Sequence, residues 1–142
     1  MNARNQILGR FASETARRLS GKNKPGFVPF LDSGDSVVVI NAAQIKVSGK
    51  KETAKKYVRH SGFPGGYKEE TLAQVRQERP EQIIIHAVRG MLPKNKLGSL
   101  MLKRLHVFSG SEHPFKRQVT SSEHEQTPKT PEVKETQNGG VK

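Results

Sequence analysis

The sequence predicts an α/β protein in which helices cover a small parallel sheet. Two observations support this class. Residues 37–40 form a continuous β-branched run that is apolar on both faces, as in a parallel strand covered by helices. Apolar residues also recur at helical spacing, first between Leu8 and Leu19 and again after Pro80. An alternation of helical and strand patterns is typical of an α/β domain.

The first predicted element is a helix over residues 7–20. Its apolar stripe consists of Leu8, Phe11, Ala12, Thr15, Ala16 and Leu19. Gly21 stands where a helix end favours a residue that adopts positive φ. Basic residues follow the exposed side of this helix and continue into the next loop: Arg10, Arg17, Lys22 and Lys24.

The later elements are shorter. Turn-forming residues at 32–35 precede a strand over 36–40, and residues 41–43 turn the chain into a second short strand at 45–47. Residues 49–66 lack apolar periodicity and are predicted to form a loop. The rest of the domain is predicted to contain a helix at 69–77, a helix opened by Pro80 and interrupted by Gly90 and Pro93, a helix at 97–105 and a strand at 106–109.

Composition divides the chain in two. The 142 residues carry a net charge of +12, and the excess of lysine and arginine lies entirely before position 118. Residues 1–117 are predicted to form one folded domain. Residues 118–142 are rich in Gln, Thr, Ser, Glu and Pro, so they bury too little apolar surface to offset their ordering entropy. We therefore predict a disordered polar tail.

The positive charge predicts a polyanionic partner, with nucleic acid as the usual one and an anionic membrane as the alternative. No apolar run approaches the ~18 residues of a membrane span, and the N-terminus has no signal-peptide pattern. The chain has no cysteine, which excludes disulfides and thiolate metal sites and fits the cytosol. We expect no membrane partner, no cofactor, no metal and no small-molecule substrate.

The strongest local motif lies between Gly49 and Tyr67. Its cations are Lys50, Lys51, Lys55, Lys56 and Arg59, and its rings are Tyr57, His60, Phe63 and Tyr67. Cations bind phosphates and rings stack on unpaired bases, so this pattern favours RNA binding. We therefore expect residues 1–117 to form an RNA-binding domain in which Arg10, Arg17, Lys22 and Lys24 also contact RNA. The alternative is a solvated, flexible basic loop.

A second basic set surrounds the break at residues 90–93. It comprises Arg89, Lys94, Lys96, Lys103 and Arg104. We interpret Met91 and Leu92 as core residues and the cations as phosphate ligands, with exposed backbone N–H groups at the helix start adding to the site. In the alternative interpretation these lysines only increase solubility.

Motifs of enzymes are absent from the sequence. Gly49-Lys50 lacks the upstream glycine and the following Ser or Thr of a phosphate loop. Residues 61–65 do not form a nucleophile elbow, because they follow a basic segment and not a strand. The histidines have no metal-ligand spacing. A ribosomal RNA-binding protein, a free-standing RNA- or DNA-binding regulator and a nucleotide-dependent enzyme remain as hypotheses, and the missing motifs argue against the third.

Short blocks of residues along the chain carry a family pattern. They are Leu8-Gly9-Arg10, Gly34-Asp35, Val39-Ile40-Asn41-Ala42, Val47-Ser48-Gly49-Lys50-Lys51, His60-Ser61-Gly62, Arg79-Pro80-Glu81, Ala87 to Asn95 (A-V-R-G-M-L-P-K-N) and Glu112-His113. With these blocks, residues 2–117 resemble the family of the bacterial-type ribosomal protein thirteen of the large subunit. The resemblance implies a three-layer α/β/α domain with a small, mainly parallel sheet. It also implies binding to large-subunit ribosomal RNA during early assembly, beside neighbouring large-subunit ribosomal proteins in the cytoplasm.

The N-terminus departs from the family pattern. Family members usually begin with a strand that bears a tryptophan and ends in Asp-Ala, whereas Asn2-Ala3 stands at that position here. We therefore expect the first strand to be largely missing. A start codon assigned too far downstream is the favoured interpretation, and a substitute for the strand is the alternative. Without that strand the isolated chain is expected to fold poorly in the absence of RNA.

Overall fold

A computed structural model describes residues 1–118, so the predicted tail lies outside the described residues except for Gln118. The chain contains both helices and strands, which confirms the α/β class. In order they are α1 (Leu8–Ser20), β1 (Val37–Val39), a 3-10 helix (Ala42–Gln44), α2 (Lys51–Ala54), β2 (Lys56–His60), β3 (Tyr67–Thr71), α3 (Leu72–Glu78), α4 (Pro80–Met91), α5 (Lys96–Lys103) and β4 (Leu105–Val107).

A parallel pair of strands contributes residues to the hydrophobic core. β1 pairs in parallel with β4, with Val37 opposite Leu105 and Val39 opposite Val107. On the other edge of β1, the N–H of Ala3 donates to the carbonyl of Ile40 at 3.0 Å, and Ala3 is fully buried. The residues that stand at the end of the family's first strand therefore lie alongside β1.

Helices α1 and α4 pack against each other and contact β1 and β4 respectively. The predicted stripe of α1 is buried, and Gly21 ends the helix at φ 76° as expected. Pro80 opens α4, and Ile83, Ile84 and Val88 bury its inner face. The largest fully buried side chains of the described core come from several of these elements: Leu19, Val39, Ile45, Leu72, Ile83, Ile84 and Val88.

The strand predicted at residues 45–47 is wrong. Ile45 is fully buried, but its segment forms a single bridge, in which Lys46 pairs with Ile7. The N–H of Lys46 donates to the carbonyl of Gln6 at 2.8 Å, and the N–H of Leu8 donates to the carbonyl of Lys46 at 2.8 Å. Burial of one β-branched residue is therefore not enough to make its segment a strand.

The loop predicted over residues 49–66 is also wrong. This segment forms α2, β2 and the turn that leads to β3, and β2 pairs with β3 as an antiparallel hairpin. Most of its residues are exposed on both faces, so the sequence carries no apolar alternation that would reveal a strand. Backbone hydrogen bonds between β2 and β3 define these strands, although most of their side chains are exposed.

Element boundaries also shift in the second half. The helix predicted at 69–77 begins only at Leu72, because Glu69 and Glu70 belong to β3 and Thr71 caps the helix together with Gln74. The helix predicted at 97–105 ends at Lys103, and β4 starts at Leu105, one residue before the predicted strand.

Candidate nucleic-acid interface

The β2–β3 hairpin presents the first predicted RNA-binding motif. Its turn is closed by three hydrogen bonds, from Ser61 N–H to the Gly66 carbonyl, from Gly66 N–H to the Phe63 carbonyl, and from Gly62 N–H to Nδ1 of His60. Phe63 and Tyr67 are 73% and 57% exposed. The hairpin therefore carries two rings into solvent, while His60 also organises the turn.

Tyr57, in contrast, is packed into the domain. Its ring lies 5.4 Å from the ring of His86, and Nζ of Lys55 lies 5.2 Å from its centroid. Its hydroxyl is buried without a hydrogen-bond partner among the described residues. Burial raises the pKa of Tyr57, and the charge of Arg76 opposes that shift. This ring packs the hairpin against α4, and stacking of Tyr57 on RNA bases stays a prediction.

A first cleft separates the hairpin from α4, and we call it the hairpin cleft. Its basic lining includes Arg59 and Lys68 from the two strands and Arg89 from α4, with His86 beside them. Arg59 lies directly opposite Lys68 in the strand register. Lys68 was not singled out from the sequence, although its position after the Gly65-Gly66 pair is a turn signal that points to a hairpin strand.

A second cleft, the α4–α5 cleft, continues from the first. His86 and Arg89 line both, and Lys94 and Asn95 complete the second one. The Asn95 side chain accepts a hydrogen bond from the N–H of Gly98 at 2.8 Å and caps α5. Gly98 also permits close packing here, because a Cβ at this position would lie 1.8 Å from the carbonyl oxygen of Pro93.

A third cleft, the α1 cleft, joins the second through Pro93 and Asn95, and Arg17 and Lys22 line it. The three clefts thus connect both predicted basic sets with the cations after α1. Other predicted cations lie outside the clefts: Arg10 and Lys50 are exposed, Lys96 and Lys103 are exposed on α5, and Lys51 and Lys55 line a separate apolar groove beside Ile7 and Met91.

Two other lysines that were predicted to bind RNA form ion pairs with carboxylates of the same chain. Lys24 binds Asp35 at 2.6 Å and Lys56 binds Glu69 at 2.5 Å. Hydrogen bonds from Lys56 and Tyr67 lower the pKa of Glu69, and Glu69 in turn raises the pKa of Lys56. Within residues 1–118, the following cations form no ion pair: Arg4, Arg10, Arg17, Lys22, Lys46, Lys50, Lys51, Lys55, Arg59, Lys68, Arg89, Lys94, Lys96 and Lys103.

Arg104, which was predicted from the sequence to bind RNA, is directed into the fold. Its guanidinium donates to the carbonyls of Gly34 and Leu19 and binds the carboxylate of Asp32. Its side chain is 25% exposed. The structure thus gives Arg104 a structural role, joining the end of α1 to the turn before β1, and RNA contact by this residue stays a prediction.

Arg76 is a second structural arginine, and sequence reasoning missed it. Nε and Nη2 bind the two oxygens of Glu52 at 2.7 and 3.1 Å, and Nη1 donates to the carbonyls of Ala43 and Ile45. This residue ties α3 to α2 and to the 3-10 helix. Its partners lie 24 to 33 residues away, so no local pattern marks it.

The described residues contain no group of three or more His, Asp or Glu side chains that could hold a metal ion. Across residues 1–118, every helix is too short or too polar to cross a membrane.

Comparison with known proteins gives a consistent result. Residues 1–114 match the family model described as ribosomal protein L13. The chain is 56% identical over 113 residues to the large ribosomal subunit protein uL13 of Lawsonia intracellularis, covering 80% of this chain and 78% of the relative. The proteins of the same name from Oleidesulfovibrio alaskensis and Halorhodospira halophila are 52% and 54% identical, covering 83% and 80% of this chain and 82% and 80% of those relatives.

Proposed function

Since the chain belongs to the ribosomal protein L13 family, we propose that it binds large-subunit ribosomal RNA and supports early assembly of the subunit. Members of this family are structural components of the large ribosomal subunit and not enzymes, and the chain has its place in the ribosome. Residues 1–117 would form the RNA-binding domain. Neighbouring large-subunit ribosomal proteins are the proposed further partners.

One observation carries the proposal of RNA binding. Cations without an acidic partner among the described residues line three connected clefts, from Arg59 and Lys68 through Arg89 and Lys94 to Arg17 and Lys22. Exposed positive charges on one surface repel each other in the free protein and gain energy when phosphates replace their counterions. A continuous basic surface of this kind fits a nucleic-acid backbone better than a compact ligand.

Aromatic side chains support binding to folded RNA in particular. Phe63 and Tyr67 extend from the hairpin, where they can stack on bases that the RNA fold leaves unpaired. Cations on the clefts would position the protein on phosphates, whereas these rings would distinguish a particular loop or bulge.

A salt titration tests the proposal. Binding of the full chain to large-subunit ribosomal RNA should weaken steeply with salt, with a slope of roughly 0.7 to 0.9 per phosphate contact. Small-subunit ribosomal RNA of similar length is the matched control. Equal affinity for both RNAs would contradict specific recognition of the large subunit.

Sucrose-gradient fractionation then separates assembly from free-standing regulation. The protein should sediment with large-subunit particles at physiological salt, including precursor particles that still lack late proteins. A chain that remains at the top of the gradient would contradict the proposed role in assembly.

A further inference from the structure

We propose that the hairpin cleft binds a phosphodiester group of the RNA backbone between Arg59 and Lys68, and that these two cations destabilise the hairpin until RNA binds. This inference rests on the proposed function, because it names one contact through which ribosomal RNA would be held. It also assigns a role to Lys68, which lies just outside the basic motif between Gly49 and Tyr67.

The strand register places the two cations together. Arg59 of β2 lies directly opposite Lys68 of β3, and directly opposite residues of an antiparallel pair extend from the same face. The neighbouring pair on that face is Tyr57 and Glu70, and the ring of Tyr57 lies against His86 of α4. The face that carries Arg59 and Lys68 is therefore the one turned towards α4.

No carboxylate of the described residues neutralises this pair. Glu70 is the acid on the same face, and its carboxylate is bound by Arg79 at 2.9 Å. Glu69 extends from the opposite face, where it is bound by Lys56 at 2.5 Å and by the hydroxyl of Tyr67 at 2.7 Å. Arg89 adds a third cation from α4 to the same cleft.

The Arg59–Lys68 pair destabilises the free hairpin and stabilises the hairpin that holds a phosphate. Like charges directly across a strand pair destabilise it, so the free hairpin is weaker than its hydrogen bonds alone would make it. A phosphate held between Arg59 and Lys68 replaces that repulsion with two charge-assisted contacts. Any ligand that binds only the formed hairpin also stabilises it. RNA binding and hairpin stability are thus linked through one pair of residues.

The decisive variant is Lys68→Glu, which should affect stability and affinity in opposite directions. In the free protein, the new carboxylate would pair with Arg59, so hairpin amides in β2 and β3 should exchange their hydrogens about threefold to tenfold more slowly. Affinity for large-subunit ribosomal RNA should fall, and the salt slope should decrease by roughly 0.7 to 0.9 for each phosphate that the variant no longer binds.

Two further variants serve as controls, one for the change in net charge and one for the new attraction to Arg59 that Lys68→Glu introduces. Lys46→Glu makes the same change in net charge at an exposed lysine that lines none of the three clefts, and it should leave hairpin exchange as in the wild type. Lys68→Gln removes the repulsion without adding an attraction. It should therefore give protection between that of the wild type and that of Lys68→Glu, and its salt slope should decrease by the amount expected for about one phosphate.

Hairpin exchange in Lys68→Glu that is no slower than in Lys46→Glu would overturn the repulsion, and an unchanged salt slope would overturn the contact. Failure of the wild type to bind ribosomal RNA would refute the proposed function separately, since the exchange comparison uses the free protein. Inorganic phosphate at constant ionic strength serves as a second arm. Equal protection of the hairpin by phosphate and by RNA would assign the cleft to a free anion and overturn the RNA assignment.

Discussion

Arg76 and Arg59 carry the same guanidinium group in opposite settings. Arg76 is largely buried and has a carboxylate and two carbonyls as partners, whereas Arg59 is exposed, lies opposite a lysine and forms no ion pair within the described chain. Partners within the fold neutralise the charge of Arg76, whereas the charge of Arg59 stays available to a binding partner. Residue type therefore says little about function here, and the position of the nearest carboxylate says much more.

The largest effect that would sharpen this comparison is expected from Arg76→Ala. Removing the guanidinium leaves Glu52 and the carbonyls of Ala43 and Ile45 without their donor, which should cost about 2 to 3 kcal/mol of unfolding free energy. Denaturant unfolding should show this loss, while the salt slope of RNA binding stays that of the wild type. Arg76→Lys should recover only part of the stability because it lacks the planar fork. A variant as stable as the wild type would break the comparison.

The next effect concerns the lysines around α2. Replacing Lys50, Lys51, Lys55 and Lys56 together with alanine should weaken RNA binding and reduce the salt slope by up to roughly 2.8 to 3.6, which is about 0.7 to 0.9 for each contact. Lys56 should contribute least, because Glu69 already binds it. Unfolding free energy should change little, since these side chains lie outside the core. An unchanged slope would exclude this cluster as an electrostatic contact.

Arg104→Ala tests whether Arg104 stabilises the fold or binds RNA. If the residue acts as the structure indicates, its removal should lower stability by about 1 to 2 kcal/mol, because Asp32 and the carbonyls of Leu19 and Gly34 are left without a donor. Affinity at each salt concentration should then remain that of the wild type once the variant is folded. A reduced salt slope with unchanged stability would instead confirm the sequence-based assignment to RNA binding.

Deleting residues 118–142 should have the smallest effect. That segment has a net charge of −1 and few apolar residues, so melting temperature and RNA affinity should both remain nearly unaltered. Thermal unfolding and a salt titration of the shortened chain check this. A melting temperature lowered by several degrees would show that the tail contacts the domain.

Burial decides which elements of the fold could be predicted from the sequence. Helices α1 and α4 each bury one face, so their apolar periodicity marked them correctly. Most side chains of the hairpin strands are exposed, and Tyr57, Glu70 and Thr71 are half-buried, so backbone pairing defines these strands and no regular apolar alternation marks them. Cations of the candidate site could be predicted from composition. Their pairing could not, because Asp32 lies 72 residues from Arg104 along the chain.

Pairing between β1 and β4 has a consequence for the time course of folding. Val37 and Leu105 are 68 residues apart, and parallel pairing over such a separation must close a long loop before it gains any contact energy. At 5 to 20 residues per second, synthesis of the intervening chain takes about 3 to 14 s. During that interval α1 and β1 have been synthesised without β4, so β1 lacks its parallel partner and the apolar surface around it stays uncovered until β4 is made.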